Sequence, residues 1–388
     1  MVLPEVFQNL KSIDHENQVV FCNNCVNSNQ RPGLLFNDDG ICAACIYSNY
    51  KKKEIDWDQR KKELEILCDK HRSKSGSWDV IVPGSGGKDS AYVAYKLKKE
   101  FGMTPLTVTW APTLPTDVGL DNLLKFTQSG FDNIKGTPNG IIHKKLTQVT
   151  FEENGHHFLP FIFGQLNFPF NMAVNFNIPL VFFGEDGDIE YGGSLERINQ
   201  PTLESNYNIS SKLKSKPPEY WSKFGIDNEE LRYYMPPKND RIQETKMEAH
   251  YMSYYEEWKP EQHYEIAKKH TGFEHLENRT EGTFTNYASL DDKTDGFHYY
   301  MAFIKYGIGR TTSDASHQIR DNIITRDEAV ELVLQYDGEY PKLYEKEFLE
   351  YLEIDDQKLK QIIDKFRRSL IWGKDDDEWV LNHIVKKL

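Results

Sequence analysis

A short apolar run, "WDVIVP" (78–83), leads directly into "GSGGKDS" (84–90) and then into the helical periodicity of "DSAYVAYKLKKEF" (89–101). No other stretch limits the fold as sharply. An apolar run of this length reads as a buried strand, and paired glycines let the chain turn tightly into a helix with backbone N–H groups facing inward. The helix start adds partial positive charge, so the turn is an anion site. Ser85 and Ser90 bring hydroxyl donors, Gly86 and Gly87 backbone freedom, and Lys88 a full charge. Asp89 would repel a bare phosphate, so it is expected as an N-cap or a Mg²⁺ ligand. The string is not a Walker A loop. That motif would need glycine at 82 and a hydroxyl at 89, where Val82 and Asp89 stand.

The alternation continues along the chain. "TPLTVTW" (104–110) and "FDNIKG" (131–136) read as strands flanking a helix at 119–129. A helix is expected over 158–176 despite Pro160 and Pro169, and "IPLVFFGED" (178–186) is a further strand. The pattern predicts an α/β fold with a parallel, doubly wound sheet. Residues 1–20 read as loosely ordered, 57–72 as a helix, and 195–245 as irregular. Beyond about 262 the chain reads as mainly helical, with a capping box at Thr325 and Glu328 and an amphipathic helix over 355–370.

Four of the five cysteines form two C-x-x-C pairs, Cys22/Cys25 and Cys42/Cys45, separated by sixteen residues. Each pair sets two thiolates on one side of a tight turn, and the spacing predicts a tetrahedral zinc site. With four protein ligands no position is left for substrate, so the Zn²⁺ is read as structural; an iron–sulfur cluster is the lesser alternative. "GLLFNDDGIC" between the pairs reads as a hairpin turning at Gly40.

Composition narrows the partners. Among 388 residues, 38% hydrophobic and 28% charged is ordinary for a globular protein, and a net charge of −13 argues against a nucleic-acid partner. No apolar run approaches membrane-spanning length, and 1–18 lacks a basic stretch followed by an apolar core, so no membrane partner and a cytoplasmic location are expected.

"SGGKDS" resembles the signature of the PP-loop ATP pyrophosphatases. The longer series is similar to the N-acetyl sugar amidotransferases of bacterial surface-polysaccharide and nonulosonic acid pathways. It comprises "CNNCVNSNQRPGLLFNDDGICAAC", "IDWDQR", "VPGSGGKDS", "GFDNIKGTPNG", "PFIFGQLNFPFNMAVNFNIPLVFFGEDGDIEYGG" and "KYGIGRTTSDASHQIRDNIITRDEAVELV". These segments are colinear over nearly the whole chain, with one departure, Gly84, where a bulkier residue is more usual. The resemblance implies ATP and Mg²⁺ as cofactors beside the structural zinc. It implies that a sugar acetamido group is adenylated on its amide oxygen and converted by ammonia to an acetamidino group.

That reading divides the chain into a zinc-binding segment with a helix (1–75), a PP-loop ATP-binding α/β domain (76–240) and a mainly helical region completing the substrate site (241–388). The nucleotide is expected on Ser85, Gly86, Gly87, Lys88, Asp89 and Ser90, with Trp110 and Gly184 beside it. "GEDGDIEYGG" (184–193) lies at a strand end, where α/β sites gather. Glu185, Asp186, Asp188 and Glu190 are read there as Mg²⁺ ligands with Asp89, Asp186 foremost, or as groups orienting the amide. Lys88, Asp89, Glu185, Asp186 and Arg310 are the catalytic candidates. Glu190, Tyr191, Lys305, Arg310, Asp314 and Arg320 are the substrate candidates, with His317 in the same C-terminal string; arginine forks suit a carboxylate or phosphate.

No cysteine looks like a glutaminase nucleophile. Residue 2 is Val2, four cysteines are assigned to metal, and Cys68 stands alone on the expected helix. The resemblance therefore implies a separate glutaminase subunit that delivers ammonia. A PP-loop tRNA thiolase is the alternative, since those proteins also join cysteine pairs to this loop; the acidic charge and the absence of any cysteine after Cys68 weigh against it. A nucleotide-binding module without catalysis is a third reading, and the intact loop weighs against that.

Overall fold

The computed structural model describes residues 3–16, 18–193, 198–203 and 216–388. A central sheet is built from β1 (Val80–Pro83), β2 (Pro105–Trp110), β3 (Asp132–Gly136), β4 (Leu180–Phe183), β5 (Thr202–Leu203) and β6 (Glu248–Tyr251), in the order β3-β2-β1-β4-β6-β5. All neighbouring pairs are parallel except β5 with β6, so an antiparallel edge strand closes an otherwise parallel sheet.

Both faces of the sheet are covered, as a parallel sheet requires. Side chains alternate along each strand. Ile81, Leu106, Val108 and Val181 point to one face and pack against α5 (Gly140–Asn154) and α6 (Leu159–Phe176). Val80, Val82, Leu180 and Phe182 point to the other face, against α2 (Trp57–His71), α3 (Lys88–Lys99) and α4 (Asp117–Gln128). This is the doubly wound arrangement expected from the alternation.

Several elements differ from the sequence reading. α5 was not expected; Asn139 caps it by accepting from Ile141 and Ile142 N–H, and Gly155 ends it in the left-handed region. The stretch 195–245, read as irregular, contains β5, a 3₁₀ helix at Pro218–Phe224 and a helix at Asn239–Thr245; its residues 195–197 and 204–215 lie outside the described residues. The polar N-terminus buries Phe7, and Lys11–Ser12 pairs with Leu35–Phe36. The turn at Gly40 is present, closed by the Phe36–Cys42 bridge.

The C-terminal half is mainly helical. α8 (Pro260–Thr271) packs on α3, and α9 (Asp295–Tyr306) shares a core with α12 (Glu345–Leu352) and α13 (Asp356–Phe366), centred on the stacked rings of Phe297 and Phe348. Between them lie α10 (Arg310–Arg320) and α11 (Arg326–Tyr336), which starts with the expected capping box. Among the described residues no helix is long and apolar enough to cross a membrane.

Candidate functional site

In a sheet ordered β3-β2-β1-β4 the order in which strands are added reverses between β1 and β4, opening a crevice at their carboxyl ends. The loops that follow these two strands are "GSGGKDS" and "GEDGDIEYGG". A cavity of about 550 Å³ lies there, lined by Ser85, Lys88, Asp89, Trp110, Glu185 and Arg310 among others.

The glycine loop is shaped by close packing. Gly86 has φ of +86°, and a Cβ on it would lie 2.7 Å from the Leu123 backbone. At Gly84 a Cβ would lie 2.6 Å from Ser90 Cβ, which accounts for glycine where a larger residue was expected. α3 starts at Lys88 with Gly87 as N-cap and no side-chain cap, so its first-turn N–H groups face the cavity end of the helix. Asp89 is thus not the N-cap. Its carboxylate accepts from Lys88 Nζ at 2.6 Å and pairs with His263 Nδ1 at 2.9 Å. Burial alone would raise its pKa, but Lys88 and His263 hold it well below the usual carboxylate range. Gly86→Ala should destabilise the protein by about 1–3 kcal/mol through left-handed strain and the Leu123 contact. Gly87→Ala should not, because its Cβ meets only Ser85 Oγ at 3.6 Å. Equal urea midpoints for the two variants would contradict this.

A smaller chamber of about 210 Å³ adjoins the first and shares Lys88, Asp89, Glu185 and Arg310 with it. Tyr191, Asp314 and His317 complete its wall. Arg310 Nε donates to both Asp314 oxygens at 3.0 and 3.1 Å, and its terminal nitrogen donates to Tyr299 Oη. Glu185 accepts from Tyr191 Oη at 3.4 Å. Burial, helped by the charges of Asp89 and Glu190, pushes its pKa up to about 7, so this carboxyl exchanges a proton near neutrality.

Other expected site residues lie elsewhere. Asp186 and Asp188 do not line either chamber. Asp186 caps a one-turn helix, α7 (Gly187–Glu190), by accepting from Asp188 N–H. Glu190 is buried in an ion pair, with Lys51 Nζ donating to its two oxygens at 2.9 and 2.7 Å. Lys305 donates to the Asn154 carbonyl at 3.0 Å, its amine lowered to about 8 by burial. Arg320 is buried beside the cysteines. Trp110 and Gly184 do line the larger chamber, and Trp110 packs so closely on α6 that a Cβ on Gly164 would lie 2.2 Å from its ring.

Sequence reasoning missed His263, which sits in an ordinary amphipathic helix and stacks on Tyr92 with ring centroids 4.1 Å apart. It also missed Asp291, which lines the larger chamber with Ser85 and whose pKa is raised by burial and by Asp295. Neither carries a motif.

The four cysteines converge as expected. Their Sγ atoms all lie within 4.8 Å, with Cys22–Cys45 at 4.0 Å and Cys25–Cys42 at 3.7 Å. One ion bound tetrahedrally by thiolates at 2.3 Å places sulfurs about 3.8 Å apart, so the donor set fits a single ion. Asn24, Cys25 and Cys42 N–H groups donate to Cys22 Sγ at 3.4, 3.4 and 3.2 Å.

The strand order, with the glycine loop at the switch point and a carboxylate facing it, gives an α/β fold of the PP-loop type. Residues 281–386 match the family model described as "LPS biosynthesis protein WbpG-like, C-terminal domain". The C-terminal part of the chain is therefore similar to a WbpG-like LPS biosynthesis domain, and it is this part that sends Arg310 and Asp314 to the cavity. Among curated proteins the chain is 26% identical over 108 residues to the uncharacterized protein MJ1599 of Methanocaldococcus jannaschii, a match covering 28% of this chain and 38% of that one. Two solved structures are distantly similar. The U34-tRNA thiolase NcsA of Methanococcus maripaludis with its [4Fe-4S] cluster gives a TM-score of 0.30 at 11% identity, covering 69% of this chain and 79% of that one. The NH3-dependent NAD synthetase of Campylobacter jejuni gives 0.27 at 15%, covering 53% and 99%. Likeness at this level carries no argument, and the fold rests on the strand order.

Proposed function

We propose that the protein is an ATP-dependent, AMP-forming amidotransferase synthetase that turns a sugar acetamido group into an acetamidino group. The observation that carries this reading is the wall common to both chambers. There Lys88 and Asp89 from the glycine loop meet Glu185 from the second loop and Arg310 from the WbpG-like domain. ATP would occupy the larger chamber with its pyrophosphate end on the uncapped start of α3, and the sugar the smaller one.

The amide oxygen attacks the α-phosphorus, a P–O bond forms, and pyrophosphate leaves. Amide resonance makes the carbonyl carbon a poor electrophile, and adenylation makes its oxygen a leaving group. Ammonia then adds to the imidate carbon, gives a proton to Glu185, and AMP departs with the former amide oxygen. A carboxylate ionising near 7 suits that transfer. Lys88 and Arg310 stabilise the phosphoryl charge. Mg²⁺ would neutralise the phosphates, and Asp89 is the carboxylate that would hold it. Zinc is the ion we assign to the cysteines.

Ammonia is supplied by a separate glutaminase subunit. Cys68 lies in the core, and burial pushes its thiol up to about 12, so it offers no nucleophile. Among the described residues no cysteine lines either chamber, which also weighs against a thiolase.

The test is incubation with ATP, Mg²⁺, ammonium and a panel of acetamido sugars, free and nucleotide-linked. Sugar-dependent pyrophosphate release and a product mass lowered by exchange of O for NH are expected. Pyrophosphate release that depends on tRNA instead would move the assignment to a thiolase, and rapid glutamine hydrolysis by the purified chain would remove the partner subunit.

A further inference from the structure

Arg320 belongs to the C-terminal string expected at the substrate, yet it does not line either chamber. It ends α10, is 6% exposed, and its two terminal guanidinium nitrogens have no hydrogen-bond partner among the described residues. An unpaired buried guanidinium is strongly unfavourable, so its surroundings must supply negative charge. The negative groups that act most strongly on its charge are the sulfurs of Cys45, Cys25 and Cys42, and then the Glu190 carboxylate.

The cysteine site has the opposite requirement. Four thiolates around a divalent ion carry a net double negative charge in a buried setting. Backbone N–H groups relieve this at Cys22. Among the described residues none reaches the sulfur of Cys42 or Cys45, two of the three sulfurs whose charge acts on Arg320.

Other contacts fasten the same helix to the cysteine loops. Ile319 packs on the cysteine cluster, Asn27 Nδ2 donates to Ser316 Oγ at 3.0 Å, and Lys52 Nζ donates to the Arg320 carbonyl. The opposite wall of the cavity is reached from the same place. Cys42 caps α1 (Ala43–Lys53), Gly192 packs so tightly on that helix that a Cβ would lie 2.7 Å from Ala44 N, and Lys51 holds Glu190.

We propose that Arg320 is the charge partner of the four-thiolate metal site, and that through it the bound metal braces the helix carrying Arg310 and Asp314 to the cavity. Arg320 is then a positioning residue that never touches substrate. The inference requires only that the cysteines hold a metal ion and is independent of the reaction assigned above.

The experiment uses the full chain with Zn²⁺ as the probe. Competition with a chromophoric chelator measures affinity, and amide hydrogen exchange reports on α10. Arg320→Met should weaken zinc binding about 10–100-fold, the loss typical for groups just outside a metal's ligands. Arg320→Lys should recover most of it. Stripping zinc from the unaltered chain should speed exchange across Arg310–Arg320 while β1 and β2 stay protected. Unchanged affinity in Arg320→Met would overturn the charge pairing, and unchanged exchange across α10 would overturn the brace. Should Arg320→Met not fold, Arg320→Gln, which keeps polar donors but drops the charge, carries the same expectation.

Discussion

Lys88→Met is expected to lower sugar-dependent pyrophosphate release by about 10²–10³-fold, the usual loss when one preorganised donor at a reacting centre is removed. The size follows from the site. Two unit charges 4 Å apart interact by about 4 kcal/mol at the effective dielectric near a protein surface, enough for a factor of this order. Lys88 stands at the first turn of α3 with its side chain 13% exposed, beside helix N–H groups that have no side-chain cap. The fold should survive, because the Asp89 side chain is 43% exposed and water can take up its charge once Lys88 is removed. Asp89 keeps His263 as a partner, although its carboxyl will titrate closer to the ordinary range once Lys88 is gone. The loss should fall mainly on kcat, since charge on the phosphate builds in the transition state. A variant that binds ATP more weakly at unchanged kcat would show that Lys88 merely holds the nucleotide.

Glu185→Gln should reduce the rate by about 10²–10⁴-fold, the usual contribution of a positioned base. In the unaltered protein activity should rise with pH through about 7, because burial keeps this carboxyl protonated below that value and it accepts a proton only above it. The variant should lose this limb. Stability should move the other way. The folded-state pKa is raised from 4.5 to about 7, so the folded protein binds the extra proton between those values. The favourable contribution is complete below 4.5 and is lost as pH rises through 7. Glu185→Gln removes the buried charge, so the variant should melt at a higher temperature than the unaltered chain above pH 7 and show no such advantage near 4.5. A melting difference independent of pH would remove the raised carboxyl from the account. Greater stability with less activity is the usual sign of a strained functional group.

The strands at 80–83 and 180–183 were legible as continuous apolar runs, and that at 105–110 as a β-branched and aromatic run, each between helical stretches. α5 was not, since "GIIHKKLTQVTFEEN" carries several β-branched residues of low helix propensity and gains its helix from burying Leu146 and Phe151. β6, "EAHY", has no strand pattern; Glu248 is met by the distant Lys70 and His71, and His250 Nδ1 by the nearby Tyr255 hydroxyl.

The glycine loop and the cysteine quartet could be read from the chain alone because each is local. A few residues at fixed spacing set the backbone turn, the donor atoms and their separation. Long-range contacts were different. An acidic loop and a row of arginines show what charge is present but not which way it faces. Packing turned Glu185 and Arg310 toward the cavity, paired Glu190 with Lys51, and buried Arg320 at the end of the helix that packs on the cysteine cluster. A buried charge goes where an opposite charge meets it, and residues as far apart in the chain as Cys25 and Arg320 meet only once the helices have packed.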